Sequence, residues 1–255
     1  MSYEPYIPED IRHLYEIHNF RNAAQILRTG APAEFEELLN GFRNFRLTVD
    51  DIRKPGGNES DIPKKISILL RKFGWLETRI KGDLCITKTS NQASKKDDED
   101  NEEDETETLE KIEELKKKGE NVEQIVLKNF LDGHKVDYVK NRVAFDLEWN
   151  SKDQTFDRDL YAFRAFYECD LIDAAVLMTR SETLNDVFNE LGPELDENGE
   201  VVYRKSGKPK LIKEKYGAST TWMGKLIYRI NAGRHGGCPV LVLGITPKLI
   251  EDWKK

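Results

Sequence analysis

The chain has 255 residues, of which 38% are hydrophobic and 34% charged, with 47 Asp+Glu against 40 Lys+Arg for a net charge of -7. That suits one large domain or two small ones, and no run of about 18 apolar residues offers a membrane-spanning helix. The start, MSYEPYIPEDIRH, lacks a basic stretch followed by an apolar one, so no secretory signal is expected. Cys85, Cys169 and Cys238 are odd in number and far apart, which excludes a disulfide scaffold or CxxC zinc site and fits a reducing cytoplasm. The charge is unevenly spread. Residues 97–107, DDEDNEEDETE, hold nine acids and no base, and without them the remainder stands at +2. An acidic total therefore does not argue against a nucleic-acid partner.

Taken in chain order, NFRNAAQILRTG and APAEFEELLNGF give two helical patterns over 19–43, joined at Gly30 and Pro32. FRLTVDDI (45–52) reads as a short strand and RKPGGNES (53–60) as a loop. A helix capped by Ser60 or Asp61 runs through IPKKISILLRKFG and stops at Gly74. WLETRIKGDLCITKT (75–89) reads as two strands about a Gly82–Asp83 turn. Residues 91–108 are low-complexity, charged and self-repelling, as expected of a mobile acidic insertion, and TLEKIEELKKKGENVEQIVLKNFL after them looks helical. KVDYVKNRVAFDLEW is then a strand–turn–strand, 156–171 an aromatic-rich helix and DAAVLMTR (173–180) an apolar strand. A helix follows over 182–192, with Ser181 as its cap. Residues 193–218 form a polar loop with room for a hairpin at ENGEVVYRKSGKPKL, 220–233 a helix, PVLVLGI (239–245) a buried-type strand, and a short helix starts at Pro247. Strands alternating with helices predict an α/β (α+β) domain with a central mixed sheet flanked by helices.

Asp137, Asp146 and Glu148 are the candidates for chemistry. On a strand, Asp146 and Glu148 leave the same face, while Phe145, Leu147 and Trp149 leave the other and supply a buried side. If the turn is Asn141–Arg142, Lys140 pairs with Val143 and Asp137 falls opposite Asp146, with Cβ atoms about 5 Å apart. Carboxylates so close repel unless a cation lies between them. Oxygen ligands select a hard divalent ion such as Mg²⁺, which supports displacement at phosphorus. An acid pair at this spacing is also ordinary on a solvated strand face, so spacing alone leaves both readings open.

The stretch DYVKNRVAFDLEWNSKDQTF resembles the catalytic hairpin of the BglII and BstYI type restriction endonucleases, a branch of the PD-(D/E)XK nuclease superfamily. The similarity is strongest over about 137–180 and continues through YRINAGRHGGCP and PVLVLGI. The resemblance implies a single endonuclease domain over 1–255, with 135–255 as its catalytic and recognition half, in a prokaryotic cytoplasm. It implies Mg²⁺-dependent hydrolysis of double-stranded DNA at a short palindrome. Two-fold-symmetric DNA is matched by a two-fold homodimer. Asp137 would bridge metal and scissile phosphate, Asp146 and the Leu147 carbonyl would be further ligands, and Glu148 would orient or deprotonate the attacking water. Lys152 would polarise the phosphate as a point charge. The chain departs from the pattern in two places. Glu148 stands where the superfamily has Lys and this branch usually Gln, which leaves open whether it is a ligand or a base. The acidic insertion is the second departure.

For DNA contact, RKSGKPKLIKEK (204–215) has six bases and one acid, with Lys208 and Lys210 as phosphate contacts. Asn231 and Arg234, in a glycine-containing segment, suit base edges. Arg180 and Ser181 follow the strand beside the hairpin and are expected to face the groove. Lys54 and Asn58 would reach it from the 53–60 loop, and Glu59 would extend the acidic site. Asp157, Arg158 and Asp159 open a helix where acids suit the dipole, with Arg158 placed to pair with a site carboxylate. The alternatives are a nuclease of the same fold in DNA repair, a non-catalytic DNA-binding protein, and an interaction module that binds no nucleic acid.

Overall fold

In the computed structural model, residues 3–54, 61–90 and 121–253 are described. Asn58, Glu59, Ser60, the acidic insertion and the helical reading of 109–120 lie outside them. The helices are α1 (Glu9–Leu14), α2 (Ala23–Gly30), α3 (Pro32–Asn44), α4 (Val49–Arg53), α5 (Asp61–Arg71), α6 (Thr155–Glu168), α7 (Leu184–Glu190), α8 (Ile212–Lys215) and α9 (Met223–Asn231), with a 3₁₀ turn at Pro247–Leu249. The strands are β1 (Tyr15–Phe20), β2 (Leu76–Ser90), β3 (Asn121–Lys140), β4 (Val143–Glu148), β5 (Ala174–Arg180) and β6 (Val240–Ile245).

The six strands lie in the order β1-β6-β5-β4-β3-β2. β4, β5 and β6 are parallel neighbours, with β1 antiparallel on β6 and β3 antiparallel on β4. A strand between parallel neighbours is covered on both faces and reads as a near-continuous apolar run. Every residue of β4, β5 and β6 is accordingly buried. Phe145, Leu147, Val176, Met178, Leu241 and Leu243 share one core with Phe35, Leu38 and Phe42 of α3 and Ile66 and Leu70 of α5. α6 crosses between the parallel strands β4 and β5 and packs on β4, with Phe156, Leu160 and Phe163 buried.

The described chain falls into two compact units. One comprises residues 1–79 and 134–255 and the other residues 80–133, whose described residues are 80–90 of β2 and 121–133 of β3. Within the second unit, Asp83 accepts from Lys128 Nζ (2.9 Å) and from the backbone N–H of Asn129 (2.8 Å).

Several elements differ from expectation, beginning with α8, which lies inside the 193–218 stretch expected to be loop. Tyr15–Phe20 is a strand, although Asn19 and Phe20 read as the start of a helix. It is held by antiparallel pairing with β6, and the buried Tyr15 hydroxyl donates to the Phe42 carbonyl at 2.9 Å. FRLTVDDI is not a strand beyond a single bridge from Leu47 to Ile250. Thr48 and Asp51 form a capping box that starts α4 instead. Gly82–Asp83 is not a turn: β2 continues through it, and a Cβ at Gly82 would stand 3.3 Å from Leu131 Cδ1. Glycine suits a strand where another chain segment approaches this closely. Finally, the expected helix ending at Leu131 is strand from Asn121 onward.

Candidate active site

The β3–β4 hairpin turns at Asn141, whose φ of 47° lies in the left-handed region that Asn tolerates better than most residues. Lys140 pairs with Val143 and Tyr138 with Phe145, so the next position along this register sets Asp137 beside Asp146. The Asp137 N–H donates to Asp146 Oδ1 at 2.7 Å. The alternation holds along β4. Phe145 packs against Phe42 and Tyr138 in the core, ring centroids 5.4 Å apart in each case. Asp146 and Glu148 leave the opposite face and are still only 5% and 8% exposed.

α6 closes over this carboxylate face. Thr155 Oγ1 donates to Glu148 Oε2 at 3.3 Å. Arg158 Nη2 lies 3.7 Å from Glu148 Oε1 and 3.1 Å from Asp159 Oδ1. Asp159 is 2% exposed, and its Oδ2 is buried without a hydrogen-bond partner. The far end of β4 is gripped by β5, where Thr179 Oγ1 donates to the Glu148 carbonyl (2.8 Å) and Arg180 Nε to the Trp149 carbonyl (2.7 Å).

Electrostatically the site is short of positive charge. Burial, then the Asp159 and Asp137 carboxylates, hold the Asp146 pKa well above the ordinary value. Burial and Glu148 do the same to Asp159, against the pull of Arg158. Asp137 has an exposed side chain, yet desolvation by its surroundings followed by Glu77 raises its pKa too. A buried anion without compensation is costly and calls for a proton or a cation. Among the described residues no three His, Cys, Asp or Glu side chains gather into a group able to hold a metal ion by themselves. A cation here would therefore draw on backbone, water or phosphate oxygens as well, as Mg²⁺ commonly does. The hard oxygen donors, the raised pKa values and the orphaned Asp159 Oδ2 fit a hard divalent ion.

Compared with protein families, the chain matches the family described as restriction endonuclease BglII/BglIII over residues 15–245. The chain belongs to that family. No curated protein matches it. It is a restriction endonuclease, a site-specific deoxyribonuclease acting on double-stranded DNA, and its mixed sheet flanked by helices is the restriction-endonuclease-like fold. Restriction endonucleases of this type generally use divalent metals. Among the described residues no helix is long and apolar enough to cross a membrane.

The remaining sequence-derived residues are scattered about this BglII-family scaffold. Leu147 lies in β4 between the two acids, paired in register with Met178. Lys152 has an exposed side chain, and its carbonyl accepts from Thr155 Oγ1 at 2.8 Å. Lys208, Lys210 and Asn231 are exposed, and Arg234 is 60% exposed and 3.4 Å from Asp157. Lys54 pairs with Asp50 at 2.5 Å. Arg180 and Ser181 do not face a groove. Arg180 is 1% exposed, with Nη2 donating to Thr220 Oγ1 and the Thr221 carbonyl, both at 2.6 Å, and its guanidinium over the Tyr216 ring. Burial pulls its pKa down to about 10. Ser181 is 2% exposed and shares a hydrogen bond with Thr183 Oγ1. The expected Arg158–carboxylate pairing is present. Asp159 is the addition: its place in the first turns suggested the helix dipole, but the interval Thr155, Arg158, Asp159 (i, i+3, i+4) sets all three on one helix face.

Proposed function

We propose that this restriction endonuclease is a Mg²⁺-dependent type II enzyme that hydrolyses both strands of DNA at a short palindrome, working as a homodimer. The observation carrying the reading is the hydrogen bond from Asp137 N–H to the Asp146 carboxylate, with Glu148 two residues on along the same face. Asp137, Asp146 and the Leu147 carbonyl would hold the ion. When bound, Mg²⁺ neutralises charge at the scissile phosphate and lowers the pKa of a bound water. Glu148, steadied by Thr155 and Arg158, orients or deprotonates the attacking water. Exposed Lys152 supplies a point charge for the phosphate. Lys208, Lys210, Asn231 and Arg234 are the proposed DNA contacts, the lysines to phosphate and the others to base edges. Among the described residues the proposed site is one set of carboxylates, and cutting both strands of a two-fold site calls for two such sets related by the DNA symmetry.

The test is Asp137→Asn. Cleavage is expected to fall below detection while binding of specific DNA stays within about threefold in the absence of divalent metal, because the charge lost belongs to the metal site and not to the phosphate contacts. Undiminished cutting by the variant would overturn the assignment.

A further inference from the structure

The first turns of α6 direct three polar side chains at one target. Thr155 donates to Glu148 Oε2 at 3.3 Å, and Arg158 Nη2 lies 3.7 Å from Glu148 Oε1. The third is the buried Asp159 carboxyl, on which Glu148 is the carboxylate that acts most strongly. Asp159 also anchors Arg158, accepting on Oδ1 from its Nε at 3.2 Å and its Nη2 at 3.1 Å. Each oxygen of Glu148 thus has a neighbour from α6.

Asp159 has no evident work in building the helix. It is the fifth residue of α6, past the first turn in which an acid gains from the helix dipole. The apolar residues Phe156, Leu160 and Phe163 already seat the helix in the core. Burying an acid at 2% exposure with one oxygen unpartnered is unfavourable for folding. The pair is also built unequally: the Arg158 side chain is 69% exposed, whereas that of Asp159 is 3% exposed. An exposed arginine left to itself samples many rotamers; tied to a fixed carboxylate its planar fork is confined.

We propose that Asp159 is a positioning residue for DNA cleavage: with Arg158 it confines the Glu148 carboxyl to one orientation on the face shared with Asp146. This rests on the reading that Glu148 serves the attacking water. Removing such outer partners typically costs about 10–100-fold in activity.

The experiment is single-turnover cleavage of a specific duplex, with DNA affinity and melting temperature measured beside it. Asp159→Ala should lower the cleavage rate by about 10–100-fold, with DNA affinity within about threefold of the parent. Asp159→Asn should recover most of the rate, because the amide oxygen still accepts from Arg158 and the amide N–H donates to Glu148. In a Glu148→Ala background, adding Asp159→Ala should cost no further rate. Wild-type rates from Asp159→Ala, when Glu148→Ala is reduced to a small residual rate, would overturn the inference and leave the role of Glu148 standing. An Asn variant no better than Ala, with losses that follow melting temperature, would reduce Asp159 to a structural residue. Undiminished cutting by Glu148→Ala would overturn the underlying reading, and the inference with it.

Discussion

Asp146→Asn should make the metal-free enzyme more stable while making it inactive. Asp146 is 5% exposed, and the carboxylates acting on it belong to Asp159, Asp137 and Glu148. Two unit charges about 6 Å apart repel by about 3 kcal/mol at an effective dielectric constant of about 20. The amide removes at least one such repulsion and keeps an oxygen to accept from the Asp137 N–H. A neutral acceptor in place of a charged one weakens that hydrogen bond by about 1 kcal/mol. The balance is a gain of about 2 kcal/mol, or roughly 4–8 °C in melting temperature for a chain of this size. The gain must depend on pH. A carboxyl with a raised folded-state pKa is protonated in both states at acid pH and costs nothing there. As pH climbs through the folded-state value, the folded protein pays for an anion that the unfolded chain carries freely. The variant should therefore melt with the parent in acid and increasingly above it towards pH 8. The assay is thermal melting in EDTA across that range. A variant that melts below the parent at pH 8, or an excess that ignores pH, would refute the electrostatic account. Adding divalent metal should raise the parent more than the variant, since a ligand that binds only the folded state stabilises it by mass action.

Lys208→Ala and Lys210→Ala should weaken DNA binding evenly across sequences. Each should flatten the dependence of log affinity on log salt by about 0.9; an unchanged slope would remove that lysine from the phosphate contacts. Arg180→Ala should behave differently, lowering the urea midpoint through the loss of hydrogen bonds to the Trp149 and Thr221 carbonyls, with the salt slope untouched. A lowered slope with unchanged stability would return Arg180 to the DNA interface.

The hairpin was legible because its information is local. Val143, Phe145 and Leu147 alternate with Asp146 and Glu148, and Asn141 admits the turn, so register and facing both follow from a few adjacent residues. β1 was not, because YEIHNF is a half-buried edge strand fixed by pairing with β6 at the other end of the chain. FRLTVDDI has the composition of a strand, yet the Thr48–Asp51 capping box decides for a helix; that signal was present in the sequence and outweighed by Leu47 and Val49. Gly82–Asp83 imitates a turn, and only the nearness of Leu131 shows why a glycine stands in a strand. Of the proposed site, Asp137, Asp146 and Glu148 were singled out from the hairpin spacing and given roles by the resemblance to the family's catalytic hairpin, and a pairing of Arg158 with a site carboxylate from its place at the start of α6. Asp159 needed the packing of α6 on β4, which no strand pattern contains. Arg180 misled because a cation after a strand suggests surface, whereas here Trp149, Phe188 and Tyr216 enclose it.

The most direct measurement is incubation of the purified protein with unmethylated phage-sized DNA, with and without Mg²⁺, followed by gel electrophoresis. Discrete fragments that appear only with Mg²⁺, and whose mapped ends share one palindromic sequence, are the predicted result. A Mg²⁺-dependent smear would contradict the sequence specificity and favour a nuclease of the same fold with a role such as repair. Intact DNA under every condition, with methylated DNA tried as well, would contradict metal-dependent cleavage.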